Sequence, residues 1–157
     1  MLSAQPSNRL QSATADSSAL ALWQMMEQSG LRALALGGRQ LLPVVQGGMG
    51  VGVSAHRLAG TVASMGAMGT IASVDLRHHH PDLAECTRQL PMGPESKETI
   101  DAANLEALRR EIAQAKAIAA GRGLIAVNVM KALNAYAASV RTALEAGADA
   151  VVVGAGL

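Results

Sequence analysis

The stretch LLPVVQGGMGVGVSAHRLAG, residues 41–60, leads from a short apolar run through a turn with four glycines in six positions into a helical pattern. The run at residues 44–46 predicts a buried strand, and Ser54 is the expected N-cap of the helix that follows. Glycine allows tight turns and lets a main chain approach a ligand closely. The glycine turn, residues 47–52, is therefore either a tight strand-to-helix connection or a surface on which a flat ligand lies against bare backbone.

The rest of the chain repeats this order of strand and helix. Continuous apolar runs at residues 69–74, 124–130 and 150–154 are typical of parallel strands that are buried on both faces. Helical patterns lie between these runs and end at Gly66, Gly121 and Gly147. In the second helix, the residues expected to face the core are Leu105, Leu108, Ile112, Ala115 and Ile118. In the third helix, they are Tyr136, Val140, Ala143 and Leu144. This order predicts an α/β fold of right-handed parallel (β/α) units.

Other segments carry weaker signals. Residues 18–28 predict a short helix, and Gly37-Gly38 within an alternating stretch predicts a β-hairpin. Residues 1–17 are polar and rich in Ser and Ala, so we expect a disordered leader. Residues 75–100 contain three prolines and predict a long connection without an element of its own, which is usually functional or mobile. Residues 18–157 are expected to form one partial domain of about four βα steps.

Composition excludes several classes of function. The net charge is +1 with dispersed charges, and one Trp, one Tyr and no Phe leave little to stack on bases, so nucleic acid is not an expected partner. The single Cys86 excludes an internal disulfide and favours a cytoplasmic location. No apolar run reaches the length of a transmembrane helix, so no membrane partner is expected.

Several polar residues are candidates for a site. His78, His79 and His80 are adjacent and lack the usual ligand spacing, so no metal site is predicted. His56, in the first turn of the helix after the glycine turn, is a candidate catalytic residue, with a packing role as the alternative. Asn128 ends a buried strand, where its amide must bond either a neighbouring loop or a ligand.

The segments LPVVQGGMGVGVSAHRLAGTVASMGAMGTIASVD, LIAVNVM and EAGADAVVVGAGL resemble the nitronate monooxygenase family, formerly called 2-nitropropane dioxygenases. Flavin-dependent enoyl-acyl-carrier-protein reductases are similar in the same segments. The likeness covers residues 34–157 and implies the N-terminal half of a TIM (β/α)8 barrel that holds FMN at the carboxyl ends of its strands. It implies that the cofactor-binding residues are Gly47, Gly48, Met49, Gly50, Asn128, Gly154, Ala155 and Gly156.

The resemblance also implies a reaction, the oxidation of an alkyl nitronate with O₂ to a carbonyl compound and nitrite. In the family, the general base and the loops that bind the FMN phosphate lie in the second half of the barrel, so the 157 residues alone are expected to be inactive. Two alternatives stay open. One is an enoyl-reductase-like enzyme that uses NAD(P)H, and the other is an inactive half-barrel that forms a homo-oligomer through its exposed strand edges.

Overall fold

The computed structural model describes residues 6–91 and 93–156, with side chains from Ser17 onwards. Its elements follow one another in the order α1 (Pro6–Ser29), β1 (Leu34–Leu36), β2 (Arg39–Leu41), α2 (His56–Ser64), β3 (Met68–Ala72), a 3-10 turn (Leu76–His79), α3 (Pro81–Thr87), α4 (Pro94–Ala119), β4 (Leu124–Met130), α5 (Tyr136–Glu145) and β5 (Ala150–Gly154). None of the described helices is both long enough and apolar enough to cross a membrane.

The N-terminal part contains the predicted hairpin and a longer helix than expected. β1 and β2 pair antiparallel around Gly37 and Gly38, which both have positive φ, as the favoured two-residue hairpin turn requires. The hairpin is therefore confirmed. Helix α1 begins at Pro6 rather than near Ser18, and residues 1–5 of the expected leader lie outside the described residues.

A parallel sheet in the order β3-β4-β5 confirms the mixed α/β class. The predicted strand at residues 44–46 is reduced to a single parallel bridge between Val45 and Met68 on the outer edge of β3. Two hydrogen bonds hold this segment, from the Met68 N–H to the Val44 carbonyl (3.1 Å) and from the Gln46 N–H to the Met68 carbonyl (2.9 Å). Pro43 on one side and the glycine turn on the other prevent a longer ladder.

The helices α2, α4 and α5 contribute to a core with β3 and β4, whose central members are Ala59, Ala63, Ile71, Leu108, Ile112, Ala115, Ile125, Val127, Val129 and Ala143. Helix α2 packs so closely on β3 that a side chain at Gly69 would overlap the Ala59 carbonyl. The inward orientation predicted for Leu144 is wrong, because this side chain is 60% exposed. Helix α5 turns the smaller residues Ser139, Thr142 and Ala143 to the interior instead.

The prediction for residues 75–100 is also wrong, since the segment contains the 3-10 turn, α3 and the start of α4. Pro81 and Pro94 are the first residues of α3 and α4. Proline is well suited to this position, because its missing N–H would have no partner within the helix. These prolines begin helices rather than interrupting a structure.

Helix α4 extends beyond the carboxyl edge of the sheet. The Ala72 N–H, at the end of β3, donates to the Ser54 carbonyl, so α2 begins level with that edge. Helices α2 and α4 run parallel, because His56 meets Glu111 and Gly60 meets Ala115 further along. The part of α4 before Glu111 is about 25 Å long at 1.5 Å per residue. With α3, it forms a projection beside the edge.

Candidate functional site

The glycine turn lies at the carboxyl edge of the sheet and is held by the buried side chain of Ser54. The Ser54 hydroxyl oxygen accepts hydrogen bonds from the Met49 N–H (2.9 Å) and from Nε2 of Gln46 (2.9 Å), and the hydroxyl donates to the Gly47 carbonyl (3.2 Å). The prediction that Ser54 caps α2 is wrong, because Ala55 occupies the N-cap position and no side chain caps the helix there. The Ser54 hydroxyl instead forms hydrogen bonds with the backbone of the glycine turn and holds the turn in its conformation.

Gln46 connects this turn to the sheet, a role that the sequence analysis missed. Its Oε1 accepts a hydrogen bond from the Thr70 N–H at 2.9 Å, while its Nε2 reaches Ser54. The side-chain amide thus continues the pairing with β3 after the backbone bridge at Val45 has ended. The position of Gln46 directly before two glycines was the feature of the sequence that could have indicated this role.

Three of the predicted cofactor-binding residues meet at this edge. Nδ2 of Asn128, near the end of β4, donates to the Gly48 carbonyl at 3.3 Å. A Cβ atom on Gly48 would lie 2.5 Å from the Asn128 Cβ, and one on Gly154 would lie 4.0 Å from the Asn128 Oδ1. Asn128 therefore bonds a neighbouring loop, and that loop is the glycine turn itself.

Gly47 and Gly50 differ from Gly48 because a Cβ atom on either would face open space, with no heavy atom within 4 Å. Both residues are exposed. In the part of the chain that the structure describes, no hydrogen bond uses the N–H of Gly47, Gly48 or Gly50, whereas the Met49 N–H is bonded to Ser54. The turn thus presents bare backbone with unused donors.

The predicted floor of the site, Gly154 to Gly156, lies against the loop after β4. The Gly154 carbonyl accepts a hydrogen bond from the Lys131 N–H at 2.8 Å, and the Ala155 carbonyl accepts one from the Ala132 N–H at 3.2 Å. A Cβ atom on Gly156 would lie 2.8 Å from the Lys131 Cβ. Close contact with this loop is therefore a sufficient reason for glycine at 156.

The histidines separate into different surroundings. Nδ1 of His56 lies 2.8 Å from the buried Glu111 carboxylate, in the contact between α2 and α4. His79 packs its Nε2 directly against Gly52 of the glycine turn, a contact that the sequence analysis missed, while His80 faces Glu111 and His78 is exposed. Among the described residues, no group of three or more His, Cys, Asp or Glu could hold a metal ion.

Salt bridges stabilise the projection that α3 and the N-terminal part of α4 form. Asp75 is bonded by Arg77 and lies 3.5 Å from Nδ2 of Asn104. Nη1 of Arg110 donates to both carboxylate oxygens of Asp82, at 2.8 and 3.0 Å. These hydrogen bonds hold the pKa of Asp82 below its usual value, against the opposing effect of desolvation, and they raise the pKa of Arg110.

The cavities formed by the described residues include two grooves that do not involve the glycine turn. One, of about 500 Å³, is almost entirely apolar and lies between α1, residues 42–44 and the end of α2, away from the carboxyl edge. The other, of about 210 Å³, lies between the start of α4 and the loop after β4, and Lys97, Asp101 and Asn134 contribute to its lining. The second groove lies near the carboxyl end of β4, the strand that contains Asn128.

In comparisons with known proteins, no family model, no curated protein and no solved structure matches this chain.

Proposed function

We propose that this chain forms the flavin-ring side of an FMN-dependent oxidoreductase of the nitronate monooxygenase type. The observation that supports it best is the exposed backbone at Gly47 and Gly50, on either side of Gly48, which contacts Asn128 at the carboxyl edge of a parallel sheet. Open α/β sheets bind ligands at this edge. We also propose that β3, β4, β5 and the bridged segment at residues 44–46 belong to the first half of a (β/α)8 barrel.

Each residue has a distinct part in this proposal. The N–H groups of Gly47, Gly48 and Gly50 would bind polar atoms of the ring, and the Asn128 amide would bind the ring edge. The absence of a side chain at Gly154 leaves room beside that amide. Bound FMN would supply the oxidation of an alkyl nitronate by O₂ to a carbonyl compound and nitrite, while the protein positions the ring and the substrate.

The alternative of an inactive, self-associating half-barrel is favoured by a different observation. Side chains that follow one another in a strand point to opposite faces of a sheet. Val44 and Val45 are both about half exposed, and so are Val152 and Val153, so both faces are uncovered at both edges. Such edges are surfaces for strand pairing.

A titration with FMN tests the proposal. We expect saturable binding with an absorbance spectrum that differs from that of free FMN, and weaker binding by an Asn128→Ala variant. Nitrite release is then measured after addition of an alkyl nitronate and O₂ to the FMN complex, and the 157 residues alone are expected to release none. Bleaching of the flavin by NADPH would favour the enoyl-reductase alternative. Self-association through the strand edges is expected in either case, so absence of saturable binding alone would contradict the proposal and favour the inactive half-barrel.

A further inference from the structure

Glu111, in the middle of α4, is a fully buried carboxylate that contacts two separate segments of the chain. Its Oε2 accepts a hydrogen bond from the His56 N–H at 2.6 Å and lies 2.8 Å from the His56 Nδ1. Its Oε1 lies 3.1 Å from Nε2 of His80, although this pair is not aligned as a hydrogen bond. Both imidazoles are largely buried, with 21% of the His56 side chain and 10% of the His80 side chain exposed.

The carboxylate replaces the missing cap of α2. Ala55 supplies no side-chain cap, so the first N–H of the helix would lack a partner without Glu111. A negative charge is also favoured at a helix N-terminus by the helix dipole. These contacts offset part of the cost of burying a charge, which is large when the charge is unpaired.

Glu111 contacts His56 and His80, and each of these residues comes directly after one of the two segments that meet at the candidate site. His56 comes after the glycine turn and the Ser54 that closes it, and His80 comes after His79, whose ring packs on Gly52. Because α4 is a long helix that packs along α2, the Glu111 carboxylate contacts both segments from one fixed position.

We infer that Glu111 is a positioning residue for the candidate site, and that its carboxylate fixes the glycine turn and His79 relative to each other. A buried contact between a carboxylate and an imidazole is by itself weak support for global stability, so the expected effect of Glu111 is local. The effect on FMN binding rests on the proposed function, whereas the effect on the two segments does not.

The test compares Glu111→Gln, which keeps the size and removes the charge, with Glu106→Gln on the same helix, whose carboxylate is partly exposed and bonded to Arg110. We expect the hydrogen-bonded amides within residues 47–56 and 76–80 to exchange about tenfold faster in Glu111→Gln, because a charge-assisted hydrogen bond is weakened. These include the amides of Met49, Ser54, His56, Arg77, His78 and His80. Exchange in β4 should stay unchanged, and the Glu106→Gln variant should match the wild type throughout.

A second variant separates the effects of the two Glu111 contacts, and it keeps the inference testable if Glu111→Gln does not fold. His80→Gln leaves the bonds between Glu111 and His56 in place, so exchange should become faster at residues 76–80 alone. Unchanged exchange in both segments, or a uniform increase that includes β4, would overturn the inference.

FMN affinity gives the second measurement. If the wild type binds FMN, Glu111→Gln should bind it about tenfold more weakly, which corresponds to the loss of one charge-assisted contact. An unchanged affinity would contradict the link between Glu111 and the site. If the wild type does not bind FMN, the proposed function fails, and hydrogen exchange still decides the positioning role.

Discussion

At the scale of single residues, different physical reasons explain why glycine occupies the different positions of the glycine turn. Gly48 has no room for a side chain because Asn128 fills the space, and Gly52 combines a positive φ with the His79 ring against its Cα. Gly47 and Gly50 face open space, and their φ values lie outside the positive range. Neither the surrounding space nor the φ value requires glycine at these two positions, and they therefore give the best support for a ligand.

Gly48→Ala should lower the free energy of unfolding by about 1–3 kcal/mol, because the added methyl group would force Asn128 and the turn apart. Urea denaturation measures this change. Gly47→Ala is the matched control and should stay within about 0.5 kcal/mol of the wild type, since its methyl group meets no neighbour. Equal free energies for the two variants would contradict the close contact between Gly48 and Asn128.

At the scale of elements, the continuous apolar runs predicted the strands best. β4 and β5 match the predicted residues 124–130 and 150–154, since apart from Asn128 their residues are apolar or glycine. The strand at residues 44–46 was overestimated, because strand pairing depends on the neighbouring segment as well as on local composition. The prolines at the start of α3 and α4 were interpreted as loop residues, although proline is equally typical of a first helical turn.

The candidate site was predictable only where local pattern carries information. An amide at the end of an apolar strand and a cluster of glycines are visible in the sequence, and the structure brings Asn128 and Gly48 together. The contact of Glu111 with His56 joins residues 55 positions apart, and helical periodicity predicts no partner at that distance. For the same reason, the packing of His79 on Gly52 left no signal.

The junction between α3 and α4 gives a prediction about pH. Arg110→Gln should raise the pKa of Asp82 towards its usual value, because the hydrogen bonds that lower it are removed. A lowered carboxyl pKa stabilises the folded protein above the usual pKa, and this stabilisation is lost as the pH falls through the lowered value. A carbon-13 NMR titration of the Asp82 carboxyl group measures the change.

Arg109→Gln is the control for this titration, since Arg109 approaches Glu106 and Glu145 at 3.9 Å and has no contact with Asp82 among the described residues. The pKa of Asp82 should keep its wild-type value in this variant. An Asp82 pKa that is the same in Arg110→Gln and in the wild type would show that Arg110 does not hold the junction in solution.

At the scale of the whole molecule, the sheet has two uncovered edges, and we expect them to drive self-association that increases with concentration. Sedimentation velocity should show smaller species for Val45→Lys and Val153→Lys, because a lysine on an edge strand opposes strand pairing. Leu144→Lys is the control, since it also removes an exposed apolar side chain but lies on a helix. Equal effects of all three variants would indicate nonspecific association.

The central claim is that the bare backbone of the glycine turn accommodates a flavin ring, and FMN titration of Gly47→Ala tests it most directly. The methyl group meets no atom of the protein, so stability should be unchanged, while FMN should bind about tenfold more weakly, a loss of about 1.4 kcal/mol. Gly93→Ser, which adds a side chain to open space at the N-cap of α4, should bind FMN as the wild type does. Equal FMN affinity of Gly47→Ala and the wild type would contradict the claim.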